Sequence, residues 1–147
     1  WDPEYYFEQK GDHTFRMSLM FHDGNWRMRY RDGIAFNNPL MSFVSATQES
    51  AGRRTLPSAG KGFLRAEPSN IVITSVKQSE DGTGTVVRFY EAEGDRCAAR
   101  LTFSEPIREA IRTDLLEYPA GPLPVAPDGS VTLEVKPWEI VTLLIKR

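Results

Sequence analysis

The densest polar and aromatic group in the sequence is His22-Asp23-Gly24-Asn25-Trp26, followed by Tyr30 and then Asn37-Asn38. These residue types suit a sugar: aromatic rings stack on its apolar C–H faces, while Asp, Asn and His satisfy its hydroxyls. They also have a structural reading, in which Asp-Gly-Asn makes a turn, Trp26 packs in a core and Asn37-Asn38-Pro39 ends a helix. A second group surrounds residues 88 to 95. Arg88 and Tyr90 fall two apart on an extended segment and so share a face, where they could hold a polar ligand, a neighbouring domain or a cross-strand neighbour. Glu91, Glu93 and Asp95 cluster where that segment ends, a place usually occupied by a solvated turn.

Most catalytic chemistries find no support in the remaining residues. A glycosidase-type carboxylate pair must converge to about 5–10 Å, and no spacing here singles out such a pair. The two histidines, His13 and His22, are separated by about 30 Å of extended chain and cannot share a metal there. HExxH, CxxC, GxSxG, P-loop and GxGxxG patterns do not occur. The single cysteine, Cys97, has no partner for an internal disulfide, and its place on an alternating segment makes it an inert buried thiol. Eighteen Lys plus Arg against twenty Asp plus Glu leave a net charge of -2, so no global positive field recruits nucleic acid or an anionic membrane. No apolar run reaches the roughly 18 residues of a membrane span. A cytoplasmic location is favoured.

These side chains need elements to position them. Phe15, Met17, Leu19 and Phe21 alternate with Thr14, Arg16 and Ser18, which predicts a half-buried strand over 14–21. Trp26, Tyr30, Gly33 and Ile34 lie on one helical face, so a short helix near residues 25–36 is expected, capped by Asn25 and ended by Asn37-Asn38-Pro39. Residues 41–46 suit another strand, and the Gly-rich stretch 47–62 reads as a linker or long loop. Beyond it strand signals come close together: 63–67, 71–77, 85–91, 96–103, 131–135 and 140–145, with 71–77 and 85–91 forming a hairpin across Glu80-Asp81-Gly82. Residues 71–77 are β-branched on both faces, and 140–145 are apolar on both, so both are expected inside a sheet. Residues 107–116 fit a helical face slightly better than a strand. Their place among strands, with Pro119, Pro122, Pro124 and Pro127 following, favours the strand. The fold class is therefore all-β, an antiparallel β-sandwich with one short helix.

The segments Gly11-Asp12-His13-Thr14-Phe15, His22-Asp23-Gly24-Asn25-Trp26 and Ala35-Phe36-Asn37-Asn38-Pro39-Leu40 resemble the closing part of the large β domain of glycoside hydrolase family 38, the α-mannosidases. Phe63 to Lys77, then Val87-Arg88-Phe89-Tyr90-Glu91-Ala92-Glu93-Gly94, and Lys136-Pro137-Trp138-Glu139-Ile140-Val141-Thr142-Leu143 are similar to that family's C-terminal β-sandwich. The resemblance implies three parts: 1–46 closing a larger β domain, 47–62 linking, and 63–147 forming the sandwich. It further implies a retaining α-mannosidase whose aspartate nucleophile, acid/base carboxylate and divalent metal, usually zinc, lie in an N-terminal domain that no stretch here matches. No cofactor is then expected in this fragment, and the first residues, Trp1-Asp2-Pro3, fit a piece of a longer chain. The expected partners are the parent enzyme's N-terminal domains and, through them, an α-mannoside. Residues placed to touch substrate or a neighbouring domain are His22, Trp26, Asn37, Arg88 and Glu91. If the alternating face of residues 14–21 lacks its neighbours, it must pack elsewhere or mediate self-association.

Overall fold

In a computed structural model of the chain, the described residues are 11–42, 60 and 62–147. They fall into two compact units, Trp1–Ala46 and Thr47–Arg147.

In the first unit Asn25 caps a helical entry as expected, its side chain accepting the Arg27 N–H at 3.0 Å. The turn it opens is a single 3₁₀ turn, Trp26–Met28, and the α-helix α1 begins afresh at Tyr30 and runs to Asn37. Asn38 closes it by donating both its backbone N–H and its Nδ2 to the Ile34 carbonyl. The strand expected over 14–21 is not formed, and Phe15, Met17, Leu19 and Phe21 are all exposed. Alternation tells which side of a segment would be buried. A strand also needs a second one to take up its N–H and C=O groups, and among the described residues none is paired with this segment. Of the strand expected over 41–46, residues 43–46 lie outside the described residues, and 41–42 are not extended in a sheet.

Among the described residues of the second unit, eight strands make two antiparallel sheets. They are β1 (Leu64–Glu67), β2 (Ile71–Gln78), β3 (Thr85–Glu91), β4 (Cys97–Phe103), β5 (Glu109–Thr113), β6 (Pro119–Leu123), β7 (Val131–Val135) and β8 (Ile140–Lys146). One sheet has the order β1-β4-β7 and the other β2-β3-β8-β5-β6. The all-β sandwich read from the sequence is the fold observed. Its core follows from period 2: Val131, Leu133 and Val135 from β7 and Ala99 and Leu101 from β4 meet Val87 and Phe89 from β3 and Val141 and Leu143 from β8. Each such large apolar side chain contributes about 1.5–3 kcal/mol on burial. With no disulfide available to the single cysteine, this packing is the main source of stability.

Two details depart from expectation, and a third agrees with it. β2 is an edge strand rather than a central one. Its register shifts between Ile73 and Ser75, and the Thr74 hydroxyl donates to the Arg88 carbonyl at 3.2 Å, a bulge of the kind that keeps edges from pairing with other chains. Residues 109–113 form β5, as context indicated, but the proline-rich stretch after it is also a strand, β6. Proline is tolerated there because β6 is the other edge of the sheet, where an absent N–H breaks no ladder. Finally, β8 is buried on both faces and lies between β3 and β5, as its composition predicted.

Candidate functional site

Arg88 and Glu91 are three apart on β3 and therefore point to opposite faces. Glu91 lies on the core side and is fully buried. Its Oε1 accepts the Asn70 amide at 2.9 Å and the Glu93 N–H at 2.7 Å, and its Oε2 accepts the Gly94 N–H at 2.7 Å and the Trp138 N–H at 3.0 Å. Burial pushes this carboxyl up, but the N–H groups of Trp138 and Glu93, the Asn70 amide and the Gly94 N–H outweigh it and hold the group at about 2. The expected solvated carboxylate cluster is thus, at Glu91, a buried anion satisfied by neutral donors. Backbone N–H groups of the Glu93-Gly94 turn supply half of those donors. The others come from 21 residues upstream and 47 downstream in the chain.

The partner at Trp138 has an uncommon conformation. Lys136-Pro137-Trp138-Glu139 closes a turn with the Glu139 N–H on the Lys136 carbonyl, and Trp138 has φ of 60°. A bulky residue in this left-handed region is strained by about 1–2 kcal/mol. The bond from its N–H to Glu91 helps to hold it there. The turn is also tied by the Glu139 carboxylate, which accepts the Lys136 N–H at 2.8 Å and pairs with Arg112 at 2.7 Å. Burial raises and these contacts lower the Glu139 carboxyl, with the lowering dominant. The indole lies so close to Gly94 that a Cβ there would sit 2.6 Å from Cζ2.

On the outer face, the Arg88 guanidinium donates to Thr142 Oγ1 on β8 at 3.1 Å and to the Leu115 carbonyl at 2.8 Å. It therefore spans from its cross-strand neighbour to the loop between β5 and β6. Cys97 is half-buried rather than fully buried. Burial pushes its thiol up, and the Asn70 amide that holds Glu91 also reaches its Sγ at 3.8 Å.

In the first unit, His22 and Asn37 line one groove of about 530 Å3 together with Arg16, Arg29, Asp32 and Phe36. Trp26 instead meets the Tyr30 ring edge-on, with centroids 6.1 Å apart, a pairing that their i, i+4 spacing allows. The structure thus joins two of the five sequence-derived residues in a groove, His22 and Asn37. It gives Arg88 and Glu91 separate tasks. Asn70 and Trp138, which hold Glu91, were not singled out by the sequence; Trp138 at the third position of a Pro-containing turn was the available signal.

A two-sheet antiparallel sandwich that uses its buried carboxylate to hold turns defines a β-sandwich module. Residues 70–143 match the Glycosyl hydrolases family 38 C-terminal beta sandwich domain, and the chain belongs to that family. It is 30% identical over 142 residues to Alpha-mannosidase 2C1 of Homo sapiens, covering 92% of this chain and 13% of that protein. It is 28% identical over 137 residues to Alpha-mannosidase G of Dictyostelium discoideum, covering 90% of this chain and 12% of that protein. The chain therefore spans about an eighth of the length of these curated relatives.

Proposed function

We propose that this chain is the C-terminal β-sandwich region of an α-mannosidase and that it supports, without itself catalysing, the hydrolysis of α-mannosides by a domain elsewhere in the same polypeptide. The observation that carries the reading is the similarity to α-mannosidases along nearly the whole chain. The chemistry of the sandwich agrees with it: Glu91 has both carboxylate oxygens occupied by N–H donors, leaving it poorly placed to act as nucleophile or acid. Among the described residues no three His, Cys, Asp or Glu side chains converge as metal ligands would. The divalent metal that the family resemblance implies, zinc by preference, is proposed to be held by other parts of the parent. In this reading Arg88 and Glu91 are positioning residues. His22, Trp26 and Asn37 face either substrate or a neighbouring domain.

The parent enzyme is expected to hydrolyse a chromogenic α-mannoside, whereas the isolated chain turns over none. Metal-dependent hydrolysis by the chain alone would sink the proposal. A second reading, a carbohydrate-binding module, is favoured by the groove that His22 and Asn37 share. Mannoside titration of the isolated chain separates the two, because only the second predicts binding that weakens in Asn37→Ala, a substitution in the groove.

Residues 1–46 are proposed to close a larger β domain of the parent, residues 47–62 to link it onward and 63–147 to form the sandwich. The bare side chains Phe15, Met17, Leu19 and Phe21 would be covered by that domain. In the isolated chain they are expected to drive self-association, so light scattering should give a mass above the 16.6 kDa monomer that falls to it in Met17→Asp/Leu19→Asp. A strictly monomeric wild-type chain would contradict this.

A further inference from the structure

The loop between β5 and β6 is held by many bonds, yet it turns its apolar side chains outward. Asp114 Oδ1 accepts the N–H groups of Leu116 and Tyr118, each at 2.9 Å, and the Asp114 N–H donates to the Tyr118 carbonyl at 3.0 Å. Arg88 holds the Leu115 carbonyl from below. Glu117, with φ of 71°, accepts the Glu80 N–H at 2.8 Å and pairs with Lys77 at 2.7 Å. In spite of this, Leu115, Leu116 and Tyr118 are 57%, 75% and 68% exposed. Ordering a loop before contact removes an entropic cost that binding otherwise bears, and aromatic and apolar anchors on rigid supports carry much of the energy of interfaces.

We propose that this loop is where the sandwich docks onto the preceding region of its own polypeptide, an inference that rests on the α-mannosidase reading above. The contact is made by side chains. Strand addition at the adjoining edge is hindered, because Pro119 and Pro122 of β6 have no N–H to offer. The size of the surface selects the occupant. Stable association of separate molecules takes roughly 20–30 residues and about 800 Å2 on each side, far more than one five-residue loop presents. A partner in the same chain is held at an effective concentration of the order of millimolar and needs much less, and the relatives carry most of their length outside the matched region.

The test compares this chain with the full-length parent. Maleimide labelling of Leu116→Cys, resolved by peptide mass spectrometry, should be about tenfold or more slower in the parent than in the chain alone. Leu116→Asp/Tyr118→Asp should leave the melting temperature of the chain alone unchanged and lower that of the parent. Equal labelling rates would overturn the proposal. So would loss of stability in the isolated chain, which would make the two side chains part of its own fold. The α-mannosidase activity of the unsubstituted parent is measured separately, so its absence would count against the function while the labelling still reports on docking.

Discussion

Glu91→Gln is expected to destabilise the sandwich by about 3 kcal/mol, because the substituted amide presents an NH2 group to two N–H donors that the carboxylate had satisfied. The side-chain volume is kept, so the loss reports on hydrogen bonding rather than on packing. With Oε1 still facing Asn70 and Glu93, the new Nε2 would face the N–H groups of Gly94 and Trp138. For a domain of this size the melting temperature should fall by roughly 12–24 °C. The pH dependence has a definite sign. The folded carboxyl is held at about 2, below its ordinary 4.5, so its contribution is complete above that ordinary value. It disappears as pH falls from 4.5 toward 2. Urea titrations across this window should show a steep acid-side loss in the wild type and a shallower one in Glu91→Gln. Some slope remains in the variant, since Asp81 is also held at about 2, by the Ser79 hydroxyl and by the Thr83 N–H and hydroxyl. An unchanged melting temperature and unchanged acid slope would show that Glu91 does not hold the turn.

Gly94→Ala should act on the same structure from its other side, at a cost of about 2–4 kcal/mol. Gly94 has φ of +78°, a region that disfavours any Cβ, and the added methyl would lie within 2.9 Å of the Trp138 ring at Cζ2, Cε2 and Nε1. The indole must move, and the movement pulls on a backbone N–H bonded to Glu91. The two substitutions are therefore expected to couple: in Glu91→Gln the ring is already loosened, and adding Gly94→Ala should cost less than it does in the wild type. Urea unfolding of the two single variants and the double variant measures this directly. Full additivity would separate the ring from the carboxylate.

The strands were legible in the sequence wherever burial alternates and turn residues stand between them. β7, with Val131, Leu133 and Val135 inward and Thr132 and Glu134 outward, could be read from five residues. What alternation does not contain is the identity of a partner. For this reason residues 14–21 carry a strand's pattern without a strand, and β2 reads as central although it is an edge. The edge strand β6 was hidden by its prolines, whose meaning depends on sheet order. At the site, the carboxylate at position 91 was visible as a chemical group, but its state was not. Two of its donors are close in sequence and two arrive through the packing of distant turns, so the difference between a solvated charge and a buried staple is a tertiary property. Arg88 behaves alike: the sequence placed it beside Tyr90, and only the fold brings the Leu115 carbonyl within its reach.

The position of β8 bears on how the molecule comes to exist at all. A ribosome makes β3 and β5 long before it makes β8, yet in the finished sheet neither touches the other except through it, with Val87 opposite Leu143 and Ala110 opposite Ile145. Until those late residues leave the exit tunnel, the nascent sandwich has two open strand edges and no centre, a state prone to capture by chaperones or by other chains. A message truncated before Ile140 would therefore yield a polypeptide for cellular quality control rather than a shortened but serviceable domain.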